Sequence, residues 1–222
     1  MSASAAGPFR VALTFDAEHP DRPTEPGVAE WLVGELARLD VTATFFIQGR
    51  WAEAYPGLAR EVADAGHLIG SHSHHHARLP DLTGAGLEAD IGVAEEVILE
   101  TTGRDPKPWF RCPFGSGYDE PRILDALSHR GYVNIHWNVE PLDWEPDRVD
   151  VEERAVHGAL QVGDGSIVLL HTWPLPMRRA LPGLVGRLRD EGAQLVTIDR
   201  LPAFVRPASV PPERAQPVVP DP

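Results

Sequence analysis

Seven short runs rich in β-branched and aromatic residues alternate with segments of helical periodicity, and this pattern constrains the 222-residue chain more than any other feature. The runs lie at 11–16 (VALTFD), 42–47 (TATFFI), 67–72 (HLIGSH), 109–114 (WFRCPF), 132–137 (YVNIHW), 166–171 (SIVLLH) and 194–199 (QLVTID). Between them, 27–39, 52–66, 85–102, 121–131, 150–160 and 177–192 carry the helical pattern, and several end in glycine, a common helix C-cap. Within 85–102, Leu87, Ile91, Ala94, Val97, Ile98 and Thr101 recur at three- and four-residue steps and predict a buried stripe. Such alternation predicts a parallel sheet with helical crossovers, open or closed into a barrel. Seven strands rather than eight favour a barrel with fewer repeats than usual. No internal linker divides the chain.

Charge removes several function classes. The chain carries 33 acidic against 20 basic residues, a formal net charge of −13, and Lys107 is its sole lysine. Such a surface repels phosphate backbones and anionic lipid over the Debye length of ~8 Å. Nucleic acid and membrane are therefore not expected partners. A single cysteine, Cys112, excludes an intrachain disulfide and a CxxC knuckle, and reads as a buried structural residue. The opening MSASAAGPFR lacks the basic and apolar regions of a secretory signal, and no apolar run approaches the ~20 residues of a membrane span. The expected location is the cytoplasm.

Residues able to do chemistry fall where the strands end. Asp16 and Glu18 close the first, His72 the third and His171 the sixth; Arg111 lies in the fourth, and Asp143 follows the fifth in NVEPLDW at 138–144. In parallel βα architectures the carboxyl ends of the strands share one face, which carries the active site. Four histidines, His72, His74, His75 and His76, stand within five residues. His72 and His76 share a face on a helical turn, whereas His72 and His74 share one on a strand, so spacing alone leaves the pairing open. A hydrolytic metal site needs a third ligand, and Asp16 and Glu18, two apart on a strand, point the same way. Arg111 follows Trp109 and Phe110 into a partly buried setting and requires a carboxylate partner.

Together these residues resemble the NodB-homology polysaccharide deacetylases, carbohydrate esterase family 4. The family's Thr-Phe-Asp-Asp motif stands here as TFDAE at 14–18, and its His-Ser/Thr-x-x-His motif as HSHHH at 72–76. Its Arg-x-Pro-aromatic-Gly motif is RCPFG at 111–115, its Asp-Trp pair is Asp143-Trp144, and its Leu-x-His motif is LLH at 169–171. The resemblance implies a distorted (β/α)7 barrel over residues 10–201, preceded by an extension, 1–9, and followed by a tail, 202–222. That tail holds Pro202, Pro207, Pro211, Pro212, Pro217, Pro220 and Pro222 and reads as extended or disordered.

The resemblance also implies roles. One divalent ion, zinc first and otherwise cobalt, nickel or manganese, would sit on His72, His76 and a carboxylate. Ala17 stands where the family carries that carboxylate, so Glu18 is the replacement candidate. Asp16 would be the base, oriented by Arg111, and His171 the acid, held by Asp143. The amide of Phe114 would donate to the oxyanion, and Trp144 would wall the acetyl methyl. The implied reaction removes an acetyl group, N-linked first, from a sugar or a sugar-containing small molecule. Two other readings follow from Ala17: an amidohydrolase that opens a cyclic amide or imide, and a non-catalytic sugar-binding domain.

Overall fold

In the computed structural model, which describes residues 9–22 and 27–204, seven parallel strands alternate with seven α-helices. The strands are β1 (Phe9–Ala17), β2 (Thr44–Ile47), β3 (Leu68–Ser71), β4 (Trp109–Phe110), β5 (Val133–Asn134), β6 (Ser166–His171) and β7 (Ala193–Leu195). The helices are α1 (Val28–Arg38), α2 (Gly49–Ala54), α3 (Pro56–Asp64), α4 (Gly84–Thr102), α5 (Pro121–His129), α6 (Val151–Val162) and α7 (Leu175–Asp190). The extension through residue 8 and the tail beyond residue 204 lie outside the described residues. Phe9, counted with the extension in the sequence reading, opens β1.

β1 organises the sheet because its two faces differ in chemistry. Val11, Leu13, Phe15 and Ala17 point to the helical layer and join one core with Leu32 and Leu36 of α1 and Leu181 and Leu184 of α7. Ala12, Thr14 and Asp16 point to the barrel interior, as the two-residue period of a strand requires. Burial of each large apolar side chain on the outer face contributes about 1.5–3 kcal/mol. The strand order is β5-β4-β3-β2-β1-β6, and β7 pairs the first residues of β1. Beyond β5 the chain reaches β6 through the bridge Val139↔Val168, which brings the ends of the curled sheet together. The result is the distorted (β/α)7 barrel that the alternation and the motifs imply. Among the described residues, no helix is long and apolar enough to cross a membrane.

Some local expectations give way. The helix expected over 52–66 is two helices, because Pro56 lacks an amide hydrogen and holds Tyr55 at φ −129°, ψ 55°, outside the helical region. The fourth, fifth and seventh strands shrink to two or three paired residues, since the chain turns off the sheet at Arg111 and again after Asn134. In α4, capped by the Thr83 hydroxyl and ended by Gly103 at φ 70°, the buried stripe includes Asp90 and Thr102. Thr101 and Val97 are only half-buried there.

Candidate active site

The carboxyl ends of β1, β3 and β6, with the turns after β4 and β5, bring the sequence-derived candidates to one pocket of about 360 Å³. Asp16 and Glu18 enter it from β1, and His72 and His76 from the loop after β3. Phe114, Trp144 and His171 also line it. Arg111 lies beneath, fully buried. Its Nη1 donates to Asp16 Oδ1 at 2.8 Å, its Nη2 to Thr14 Oγ1 at 2.9 Å and its Nε to the Ile135 carbonyl at 3.2 Å. The Phe46 ring covers the guanidinium at 4.1 Å. Removing one member of such a buried pair costs about 3–5 kcal/mol, because the other charge is left without compensation.

Three donor atoms meet above Asp16. Glu18 Oε2 stands 2.5 Å from His76 Nε2 and 3.3 Å from His72 Nε2, and the two imidazole nitrogens are 3.2 Å apart. His72 Nδ1 lies 2.9 Å from the Arg111 carbonyl, which holds its proton on Nδ1 and leaves the Nε2 lone pair facing the pocket. Two imidazoles and one carboxylate suit a divalent transition ion. Asp16 Oδ2 is 3.4 Å from His72 Nε2, close enough to share the site. The spacing ambiguity in HSHHH is thus resolved: His72 and His76 converge, while His74 turns away into a buried position beside Gly49.

This convergence needs a strained loop held from two sides. Ser73 and His76 have φ 63° and 58°, the left-handed region that non-glycine residues rarely adopt. The N-terminus of α2 donates to the loop, Gly49 N–H to the Ser73 carbonyl and Arg50 N–H to the His74 carbonyl. From α4, the buried Asp90 carboxylate accepts from the amides of His74 at 3.1 Å and His75 at 3.0 Å. A Cβ on Gly49 would stand 2.3 Å from His74 Nδ1, so the loop requires glycine there. Sequence reasoning passed over Asp90. An acid inside the apolar stripe of α4 was the available signal.

Ala17 explains itself through the pleat. Its side chain lies in the helix-facing core, opposite Asp16 and Glu18, so a carboxylate at 17 on this backbone would enter apolar surroundings. Glu18 instead reaches the histidines. Burial opposes its ionisation, but contacts from His19, His72 and His76 outweigh that and hold it well below the usual carboxylate range. At His72, burial disfavours the protonated ring and is overcome by Asp16 and Glu18; at His76, burial prevails and the ring is lowered.

On the other wall, His171 Nδ1 is 2.8 Å from Asp143 Oδ1, and Asp143 Oδ2 accepts the His171 amide at 2.8 Å. Burial works against the imidazolium, yet the adjacent Asp143, helped by Glu18 and Asp16, raises the ring to about 9. Its Nε2 is 3.9 Å from Glu18 Oε1 and faces the pocket. Phe114 takes φ 58° and sets its ring edge-on to His76 at 4.4 Å. Trp144 lines the pocket and is 42% exposed. Cys112 is buried, and that burial pushes its thiol up to about 12, so it is no nucleophile. His19, Arg22, Trp137, Glu140, Leu169 and Trp173 also line the pocket and were not singled out from sequence as site residues.

The polysaccharide deacetylase family model matches residues 4–135 of this chain. A chitooligosaccharide deacetylase of Azorhizobium caulinodans is 34% identical over 162 residues, 72% of each chain. The T48 deacetylase, solved with substrate, superposes with a TM-score of 0.73 at 33% identity, covering 91% of this chain and 94% of that one. BA3943, a CE4 family pseudoenzyme from Bacillus anthracis, has a TM-score of 0.76 at 24% identity over 87% of this chain and 65% of its own, a likeness of fold. The chain spans between 50% and 72% of the length of the first curated relatives that it matches.

Proposed function

Since the chain belongs to the polysaccharide deacetylase family, carbohydrate esterase family 4, we propose that it hydrolyses an acetyl group, most simply an N-acetyl group, from a sugar or a sugar-containing small molecule. The observation that carries this reading is the meeting of Glu18, His72 and His76 above an Asp16–Arg111 pair and opposite an Asp143–His171 pair. A lectin-like surface has no use for a buried base, its orienting cation and a carboxylate-held acid in one pocket. Opening a cyclic amide would use the same groups, but no feature of the pocket favours a ring-shaped amide.

Glu18, His72 and His76 would hold one divalent ion, zinc in the first instance, with cobalt, nickel or manganese suited to the same donors. When bound, such an ion supplies Lewis acidity to the acetyl carbonyl and to a water. Asp16 takes the proton of the attacking water on Oδ2, because Oδ1 is committed to Arg111. The Phe114 amide donates to the carbonyl oxygen as it gains charge; one such donor is worth about 2.7–4 kcal/mol in general. His171 Nε2–H protonates the departing amine while Asp143 keeps the ring in register. Trp144 packs the acetyl methyl. The C–N bond breaks, and acetate and a free amine leave.

The reading is tested by elemental analysis of protein purified without chelator, together with acetate release from N-acetylated chitooligosaccharides. One metal per chain in the wild type, lost in Glu18→Ala along with turnover, supports it. A chain that takes up no zinc, cobalt, nickel or manganese, or that deacetylates equally well after Glu18→Ala, refutes it.

A further inference from the structure

The two oxygens of Glu18 have different partners. Oε2 faces His72 and His76, whereas Oε1 lies 3.2 Å from His19 Nε2 and accepts from Trp173 Nε1 at 3.4 Å. Neither residue belongs to a motif that pointed to the site. Each is fixed by contacts of its own. The His19 amide donates to Gln48 Oε1 at 2.9 Å, the Gln48 amide donates to the Ala17 carbonyl at 2.9 Å, and Gln48 itself is buried. His19 adopts φ 56°, a left-handed turn directly after the strand end, and its ring meets His76 edge-on at 4.5 Å. Trp173 stands two residues beyond His171, where the Thr172 amide donates to the Asp16 carbonyl, and the Arg22 guanidinium lies 4.0 Å over its indole.

A glutamate one position past the usual site carries an extra methylene and an extra rotatable bond. Left free, its carboxylate could present either oxygen or both to an ion. We propose that His19 and Trp173 are positioning residues that hold Oε1 of Glu18, so that Oε2 alone serves the metal centre. The inference rests on the metal-centre reading above. His19 acts through the carboxylate: its Nε2 faces Oε1, the oxygen that also lies 3.9 Å from His171 Nε2, while Oε2 meets the ligand pair. Because His19, Glu18 and His76 also stand within metal-binding reach of one another, a double variant with Glu18→Gln separates a clamp from a ligand. The displaced carboxylate and the clamp form one device, because the turn that carries His19 begins where Glu18 leaves the strand.

Cobalt(II) alone is the probe. Its dissociation constant is read by competition with a chromophoric chelator, and the bound ion's visible absorption reports ligand geometry. His19→Phe keeps a ring against His76 but no donor for Oε1. Metal affinity is expected to fall about 10-fold or more, the range of lost ligand-orienting contacts, with a changed cobalt spectrum and an unchanged melting temperature of the metal-free chain. His19→Gln, whose amide nitrogen reaches near the Nε2 position, restores most of the affinity and the spectrum. In a Glu18→Gln background, His19→Phe costs nothing further, since the effect passes through the carboxylate. If His19→Phe does not fold, Trp173→Phe carries the test, with a smaller loss and the same lack of additivity.

The proposal falls if His19→Phe binds cobalt within twofold of wild type with the same spectrum. It falls equally if the loss persists in full beside Glu18→Gln, which would make His19 a ligand, or if His19→Gln gives no rescue. A wild-type chain that binds no cobalt overturns the metal-centre reading as well, so the two failures are distinct.

Discussion

Two histidines with nearly equal burial, at opposite ends of the strands, have opposite electrostatics. His67 precedes β3 at the amino end of the barrel and is 7% exposed; His171 ends β6 at the carboxyl end and is 8% exposed. His67 Nδ1 accepts the Ala43 amide at 3.2 Å, so protonation would set one donor against another, and burial lowers the ring to about 4. His171 meets the Asp143 carboxylate and rises to about 9. Equal burial therefore has no fixed meaning. The partner decides, and partners with charge gather at the carboxyl end, where Asp16, Glu18, Arg111 and Asp143 lie. At the other end the charged groups lie nearer the surface, as in the Arg10–Asp164 pair, and His67 itself meets the Ala43 amide. This is the division between catalytic and stabilising faces that parallel barrels show in general.

The largest expected effect tests whether the carboxyl end does chemistry at all. In Asp16→Asn an amide oxygen still accepts from Arg111, but the group no longer takes a proton at neutral pH. The rate of acetate release is expected to fall about 10³-fold, within the usual range for a positioned base, with far-UV circular dichroism unchanged. A rate within tenfold of wild type would remove Asp16 from that role and blur the contrast between the two ends.

Next comes the charge partner of His171. The folded ring is protonated below about pH 9, so the acid is available at neutral pH and is lost as pH rises through that value. Asp143→Asn removes the opposing charge while burial remains, so the alkaline limb of the rate profile should move to lower pH and the neutral rate drop about 10²-fold. An alkaline limb that stays in place in the variant would mean that Asp143 does not set the state of His171.

A smaller effect belongs to the loop that brings His72 and His76 together. Asp90→Asn leaves one oxygen for the His74 and His75 amides, which now take one each. Zinc affinity is expected to weaken about 10-fold, as when a residue that orients ligands is lost, with kcat at saturating zinc within a few-fold of wild type. Unaltered zinc affinity would show that α2 alone fixes the loop.

What could be read from sequence divides along the same line. The two-residue period of the first strand, continued from VALTFD to Glu18, puts Asp16 and Glu18 on one side, and polar residues at the strand ends mark the pocket. HSHHH is ambiguous because its geometry depends on contacts from α2 and α4, fifteen or more residues away in the chain, and on two left-handed residues that composition does not announce. Strands β4 and β5 were overextended for a related reason. Arg111 and Cys112 continue an apolar pattern in WFRCPF, but the buried guanidinium must turn inward to reach Asp16 and Thr14. His19 and Trp173 gave no periodic signal, since each is placed by a loop. Long-range polar contacts, unlike pleats and helical stripes, leave no repeat to read.

The smallest effect concerns His67 and probes the quiet end. An unfolded histidine takes its proton near pH 6.5, while the folded ring resists until about pH 4. Between these values the unfolded chain binds more protons, so acid favours unfolding and this contribution to stability is complete only above pH 6.5. Its slope is about 1.4 kcal/mol per pH unit within that window. His67→Asn keeps an oxygen acceptor for the Ala43 amide and cannot titrate. Urea unfolding at pH 8 and pH 5 should show the wild type's advantage over this variant shrinking by about 2 kcal/mol at the lower pH. Acetate release at pH 8 should match wild type, because His67 lies at the opposite end from Asp16 and His171. An advantage that is the same at both pH values would mean that the folded ring titrates like a free one. The opposition between the two histidines would then reduce to the single raised value at His171.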